Sequence, residues 1–407
     1  MTCLRRRARR CAVVLAALAV PGVLAGCLPG SAPAVSASAR QAATASCAAA
    51  DRGTWTAAEP VSPGSKNNDL TGVAVLAAGN AWAVGSYAGN DGGLTLVEHW
   101  DGAAWSVVPS PDPGGSGGSG DFLTAVSAVS PSAIWAVGDY GGESKTLIVR
   151  WNGTAWNQVP SPSPGLVNYL TGVRAVSAND VWAVGYYGDD PSHASGLILH
   201  WNGRRWTQVP APAPGFHSEL DAVTATSAAS AWAVGSFDTQ QGTWPLILRW
   251  NGIAWAQADA PRLKGTRGEL LGVDATSALN AWAAGDVPDR AGQQTLILRW
   301  NGTAWTRVPS PNPGGSGMVD SLRAVAATSA ASAWVAGYVS NGVTSQSLIL
   351  HWNGTVWTRT ASPSPGSGET LVGIGASSPG GTWAVGQFGA IGADDAFAVR
   401  YCARTSG

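Results

Sequence analysis

Carboxylates and aromatic rings recur together in the segments that follow a repeated Ala-Trp-Ala-Val-Gly pattern. Side by side, these two residue types suit a polyhydroxylated ligand, because rings stack on π faces while hydroxyls donate to carboxylates. The candidate ligand-binding residues are Tyr140, Tyr186, Tyr187, Tyr338, Asp139, Asp286 and Trp244. Tyr87, Tyr169, Phe237, Phe388, Asp91, Asp189, Asp190, Asp238 and Asp289 stand in the same or neighbouring segments. Trp244 lies beside Pro245 in a variable segment where no other repeat has an aromatic. An exposed indole there offers a flat apolar platform, and a lid over the domain edge is the alternative. Four more charges, Arg174, Asp221, Asp274 and Arg323, interrupt segments of otherwise small or apolar residues. Of these, Arg174, Asp274 and Arg323 are candidates for lining a channel, either as a polar binding spot or as an ion-paired plug.

Catalysis has less support. His99, His200 and His351 share a position with Arg150, Arg249 and Arg299, which argues for a shared surface role rather than ligation. His193 and His217 have no ligand-like spacing, so neither a metal nor another cofactor is expected. No Gly-rich phosphate loop or nucleophile elbow is present. An enzymatic version would need acids such as Asp139 and Asp286 to converge.

The elements that must position these groups follow from a repeat of about 50 residues, marked by Trp82, Trp135, Trp182, Trp232, Trp282, Trp334 and Trp383. A unit of that length cannot bury its own apolar faces and must stack on its neighbours, as the blades of a β-propeller do. In repeat 3, strand a is expected over 170–177, strand b over 181–187, strand c over 197–201 and strand d around Trp206. Asn-Gly, as at Asn202-Gly203, joins c to d and predicts a type I′ turn with both central residues at positive φ. Phe397 to Tyr401 matches strand c with no strand d after it, and Arg52 to Trp55 matches the start of strand d with no strand c before it. The expected fold is therefore an all-β, seven-bladed β-propeller of four-stranded blades, closed by the N-terminal strand pairing with the C-terminal blade. Of the 21 tryptophans, all but Trp244 occupy repeated positions in strands b, c and d and are expected to pack between sheets.

Composition agrees with an all-β chain: charged residues are only 12%, with 53 Gly and 25 Pro. Residues 1–26 read as a leader, with Arg5, Arg6, Arg7, Arg9 and Arg10 ahead of an apolar run. Leu24-Ala25-Gly26-Cys27 resembles the lipobox of bacterial lipoproteins, which implies cleavage before Cys27 and lipidation of it. Residues 27–46, rich in Ala, Ser and Pro, are expected to be a flexible tether, 47–402 the propeller and 403–407 a tail. With Cys3 and Cys11 in the leader, Cys47 and Cys402 remain at the two ends of the array and are expected to form a disulfide. Without the five leader arginines, 19 basic residues face 25 acidic ones, so nucleic acid is not an expected partner.

Val181-Trp182-Ala183-Val184-Gly185 with Trp201-Asn202-Gly203-Arg204-Arg205-Trp206 resembles the repeat of kelch and galactose-oxidase-type propellers. The second glycine of that pattern is replaced by Ser86, Asp139, Tyr186, Ser236, Asp286, Tyr338 and Gln387. The Asn-Gly-x-x-Trp turn resembles a shortened sialidase Asp-box. The whole repeat is most similar to the Trp-rich propeller repeats of actinobacterial secreted proteins, mostly without assigned activity. Together these readings predict a monomeric, non-enzymatic recognition module, lipid-anchored on the outer side of the cell membrane, or secreted if the lipobox is unused. It would bind a glycan or protein ligand on the loop face that carries the d-to-a and b-to-c connections. An envelope assembly scaffold and a carbohydrate-active enzyme of sialidase or lyase type are the alternatives.

Overall fold

Short apolar runs bounded by Gly, Pro and Asn form strands throughout the computed structural model of the chain. It describes residues 53–402 apart from 90–91, 116–119, 143, 191–192, 262–266, 290–291, 367, 378–380 and 391–392. The leader, the tether, the tail, Cys27, Cys47 and Asp91 lie outside the described residues.

A first strand, β1 (Thr54–Ala57), precedes the repeats. Repeat 1 forms β2–β5 (Asp69–Ala77, Asn80–Ala88, Gly93–Trp100, Trp105–Val107) and repeat 2 forms β6–β9 (Asp121–Ser130, Ala133–Tyr140, Lys145–Trp151, Trp156–Gln158). Repeat 3 forms β10–β13 (Val167–Ser177, Asp180–Gly188, Ser195–Trp201, Trp206–Gln208) and repeat 4 forms β14–β17 (His217–Ser227, Ser230–Thr239, Gly242–Trp250, Trp255–Gln257). Repeats 5 and 6 form β18–β21 (Glu269–Ser277, Asn280–Pro288, Gln293–Trp300, Trp305–Arg307) and β22–β25 (Val319–Ser329, Ser332–Ser340, Ser345–Trp352, Trp357–Thr360). The last repeat has β26–β28 (Thr370–Ser377, Gly381–Ala390, Ala393–Cys402).

Within each repeat the strands pair antiparallel in chain order, and the sets of repeats 5 and 6 are joined through one parallel bridge, Gln293 to Val319. The last sheet runs β1-β28-β27-β26, with Thr54 opposite Cys402 and Ala57 opposite Val399. First strands of successive repeats lie side by side, β2 against β6 and onward to β26, and β26 lies against β2. The molecule is an all-β, tryptophan-rich β-propeller.

The c-to-d turns differ from the expected type I′ form. In repeat 2, Trp151 pairs with Trp156, leaving four residues in the loop, and only Gly153 takes positive φ (102°). Asn152 instead uses its side chain: Oδ1 accepts from the backbone N–H of Thr154 and of Ala155, both at 2.9 Å. The Trp–Trp pair ends the ladder one step earlier than a two-residue turn would, and the Asn carboxamide caps the wider loop.

Packing between sheets rests on a recurring aromatic triad. Trp82 of repeat 1 meets Trp151 and Trp156 of repeat 2 at 4.9 and 5.6 Å between ring centroids. Trp135, Trp182, Trp232 and Trp282 repeat the arrangement against the next sheet. Trp334 meets Tyr401 and Trp55 of the sheet shared by the two chain ends, and Trp383 meets Trp100 and Trp105 of repeat 1. Over each strand-b indole lies a side chain from strand c. It is an imidazole in His99, His200 and His351, and a guanidinium in Arg150, Arg249, Arg299 and Arg400. The expected shared role of this position is therefore that of a lid on tryptophan, served equally by a flat cation or a flat ring.

One core position breaks the repeat. Where other c strands place Val149, Leu199, Leu248, Leu298, Leu350 and Val399, β4 has Glu98, which is fully buried. The Val61 N–H donates to its Oε2 at 2.9 Å, and Oε1 has no hydrogen-bond partner. Burial pushes this carboxyl up to about 8. Because its folded value lies above the unfolded one, the acid form favours folding. That contribution is complete below about pH 4.5 and is lost as pH rises through 8. Glu98→Leu is therefore expected to stabilise the protein on the order of 3 kcal/mol more at pH 8 than at pH 5. Urea unfolding at the two pH values measures this, and an equal effect at both would refute it.

Candidate functional site

In five repeats the connection between strand d and the next strand a is held by one buried side chain at the start of the a strand, Asn68, Asp121, Asn168, Asp320 or Glu369, which accepts from a linker N–H. At the same place Ser218 of repeat 4 accepts from Gly196 N–H of the preceding sheet, and repeat 5 has Gly268. Asn168 shows the device in full: Oδ1 accepts from Gly165 N–H at 2.9 Å, while Nδ2 donates to Gly165 O at 2.8 Å and to Ser144 O of the preceding sheet at 3.2 Å. Asn68 does the same with Gly64 and with Asp394 of the last sheet. Where Asp121 and Asp320 replace the amide, burial raises the carboxyl pKa, that of Asp121 to about 6. The loops are thus fixed at their bases, and the residue following Pro-Gly is exposed at Ser65, Gly115, Leu166, Phe216 and Gly315.

In repeats 3 and 4 that displayed residue is large and apolar. Leu166 is 62% and Phe216 54% exposed, whereas repeats 2 and 6 begin with Gly115 and Gly315 at the corresponding place. Beside them the ends of strands a and b carry rings. Tyr186 lies 5.0 Å from Tyr169, whose hydroxyl accepts from Ser144 Oγ at 2.9 Å. Tyr187 is half-buried. Phe216 is anchored by its N–H to Asp238 O at 3.2 Å. Beneath it His217 is buried, with Nδ1 accepting from Ala194 N–H at 3.1 Å, so that Nε2 donates to Glu219 at 2.8 Å. Both ring nitrogens are used, which leaves no lone pair for a metal. Among the described residues no cluster of His, Cys, Asp and Glu has the arrangement of a metal site.

Trp244 is not in a loop. Strands β15 and β16 run further than expected, pair Phe237 with Trp244, and turn at Gln240 and Gln241. The indole is half-buried and donates to Thr239 Oγ1 at 3.1 Å, so it forms part of a strand surface rather than a free platform. The extension follows from Thr239 and Gly242, which close a two-residue hairpin as Ala390 and Ala393 do in the last repeat, where repeats 1, 2, 3, 5 and 6 have longer connections.

The remaining candidates separate into distinct environments. Tyr140 packs against the core cluster of repeats 1 and 2. Asp139 and Asp286 are buried at the same register in sheets with two others between them, which removes them as a converging acid pair. Asp286 accepts from Gln293 at 2.9 Å and from Ser321 of the next sheet at 2.7 Å. Tyr338 accepts at 2.7 Å from Arg323, whose guanidinium also lies over the phenol ring. Burial works against the Arg323 charge, but Tyr338, Asp286 and Glu269 outweigh it and hold the group above its ordinary pKa. Arg323 therefore does not join the other two channel candidates. Those pair with each other: Arg174 Nη1 reaches Asp274 Oδ1 at 3.2 Å across the axis, from repeat 3 to repeat 5. Thr224 of repeat 4 donates to the same oxygen at 3.1 Å, and Ala327 N–H of repeat 6 donates to Oδ2 at 2.9 Å. Asp274 thus ties repeats 3, 4, 5 and 6 together through one ion pair and two hydrogen bonds.

Leu166, Phe216 and Glu219 escaped the sequence reading. A signal for the first two was available, since both follow Pro-Gly where sibling repeats have glycine or serine.

No family model matches the chain, and no curated protein matches it. Solved structures similar to it include YCF48 bound to D1 peptide, at 16% identity and a TM-score of 0.55, covering 87% of this chain and 98% of that one. YCF48 from Cyanidioschyzon merolae gives 16% identity and a TM-score of 0.53, covering 86% and 99%. A polysaccharide lyase, an ulvan lyase bound to a GlcA(1-4)Rha3S sugar, gives 10% identity and a TM-score of 0.52, covering 84% and 95%. At these identities the likeness establishes the propeller fold.

Removing Asp274 leaves donors from repeats 3, 4 and 6 without their acceptor. Asp274→Ala is expected to cost about 2–3 kcal/mol in denaturant unfolding, with Asp274→Asn retaining part of it. A loss under about 0.5 kcal/mol in Asp274→Ala would show that this network is dispensable.

Proposed function

We propose that this protein is a non-enzymatic recognition module that binds a glycan or protein ligand on its linker-loop face. The ligand patch is centred on Leu166, Phe216, Tyr186 and Tyr187, with Trp244 at its margin. The observation that carries this reading is the pair of exposed apolar side chains on adjacent, base-anchored loops, where sibling repeats have glycine or serine. Rigid loops bearing apolar groups at low ordering cost are what a binding surface requires. Two similar folds support it by what they hold, a peptide in YCF48 and a sugar in the ulvan lyase. The acids of the face argue against catalysis, because Asp286 and Glu219 are committed to neighbouring side chains.

The scaffold of this reading is a closed ring of seven blades, with the adjacency of β26 to β2 and the pairing of β1 with β28 in its favour. A Cys47–Cys402 disulfide would lock that closure, since Cys402 is buried opposite the first residue of β1. The module would be secreted and held by a lipid on Cys27 at the outer side of the membrane, the segment 27–46 giving it reach.

Leu166→Gly and Phe216→Gly reproduce residues that sibling repeats already carry. On glycan and peptide arrays, the double variant is expected to lose at least tenfold in affinity for whatever the native chain binds, with its melting temperature within a few degrees of native. Retained affinity would place the ligand elsewhere, and no ligand for the native chain would favour an envelope scaffold. Peptide mapping without reductant is expected to recover Cys47 linked to Cys402; two free thiols would refute the lock.

A further inference from the structure

We infer a second, separate binding site for one uronate ring at the outer junction of repeats 4 and 5. Four of the seven d strands lead into a Val-Pro-Ser-Pro or Val-Pro-Ala-Pro segment, beginning at Val108, Val159, Val209 and Val308, that packs over the neighbouring core, while Thr360 of β25 and Ala58 after β1 take the valine's place. Repeat 4 has Ala258-Asp259-Ala260-Pro261 instead. The backbone is unchanged, since Ala258 N–H donates to Ile247 O at 2.9 Å as Val308 N–H does to Ile297 O. Only side-chain volume is lost, and a cavity of about 260 Å³ opens there, lined by Trp232, Arg249, Ala258, Asp259, Trp300 and Trp305 among others.

The charges at this cavity are unspent. Arg249 lies over the indoles of Trp232 and Trp300 at 5.2 and 5.3 Å, but among the described residues it makes no hydrogen bond or ion pair. Its counterpart Arg299 donates to Asn280 and to Ala330 O. Asp259, exposed at the same cavity, makes no ion pair with Arg249 and has no hydrogen bond among the described residues. An opposite pair that lines one cavity without closing on itself suits a guest with an anionic fork at one end and donors at the other. A uronate meets both demands: its carboxylate can pair bidentately with guanidinium, and its hydroxyls can donate to Asp259. The volume lies just below that of drug-sized sites, which fits a single ring. The site shares no residue with the Leu166 and Phe216 patch, so either can fail without the other.

Titration of the full chain with galacturonate tetramer, followed by calorimetry and indole fluorescence, tests this directly. Galactose tetramer and tetraglutamate serve as controls. Native protein is expected to bind the uronate at least tenfold more tightly than either control. Ala258→Val refills the cavity with the sibling residue. Arg249→His keeps a lid already used over Trp82, Trp182 and Trp334 while removing the fork. Each is expected to weaken uronate binding at least tenfold with the melting temperature nearly unchanged. No uronate binding by native protein, tighter binding of tetraglutamate, or unaltered binding in the variants would overturn the inference.

Discussion

An indole from one sheet wedged between two aromatic rings of the next is the interaction on which the rest of this molecule depends. Its own sheet gives Trp135 or Trp282 only a guanidinium lid, Arg150 or Arg299, and the following repeat supplies the ring pair that it packs against. Stability is therefore a property of neighbours, and the sheets must assemble together to exclude water from any one of them. Threonine hydroxyls reinforce the same junctions, with Thr71, Thr124 and Thr171 reaching the carbonyls of Leu123, Leu170 and Leu220 at 2.7, 2.6 and 2.7 Å. The T-shaped ring pairs, such as Trp182 with Trp255 at 89°, place edges against faces.

A scaffold specified so many times over tolerates departures, and the departures are where individuality lies. At the threonine register, repeats 4 and 6 carry Asp221 and Arg323, and three positions further along the first strand, repeats 3 and 5 carry the Arg174–Asp274 ion pair. Glu98 occupies a leucine site, Ala258 a valine site, and Phe216 a glycine or serine site. Each exchange trades a uniform packing solution for a local chemical property: a buried acid, a cavity, an exposed ring.

The period of the tryptophans made the strand order and the sharing of a sheet by the two chain ends legible in sequence, because burial of large rings at a fixed register leaves few alternatives. The interchange of histidine and arginine over those rings was legible too, since one position must serve one role. Less visible was how far each strand would run. Trp244 reads as a loop residue until the Thr239 and Gly242 turn places it opposite Phe237. The partition of Arg174, Asp274 and Arg323 was hidden because it depends on which sheets face across the axis, a distance that no local pattern encodes. Phe216 and Leu166 were overlooked for a different reason: an apolar residue in a polar linker reads as noise until the anchored base shows which way it must point.

Strand β1 is made first and satisfied last. Its partner β28 ends with Cys402, and the hydrogen bond from Gly53 N–H to Cys402 O joins the two extremes of the described chain. During synthesis the ribosome delivers six complete sheets' worth of polypeptide before the seventh can exist. Throughout that time, Trp55 has neither Trp334 nor Tyr401 to lie against. A loop of this span is among the slowest contacts a domain can form. Pairing of β1 with β28 is thus the longest-range step in the described chain, and the last sheet cannot be completed before it.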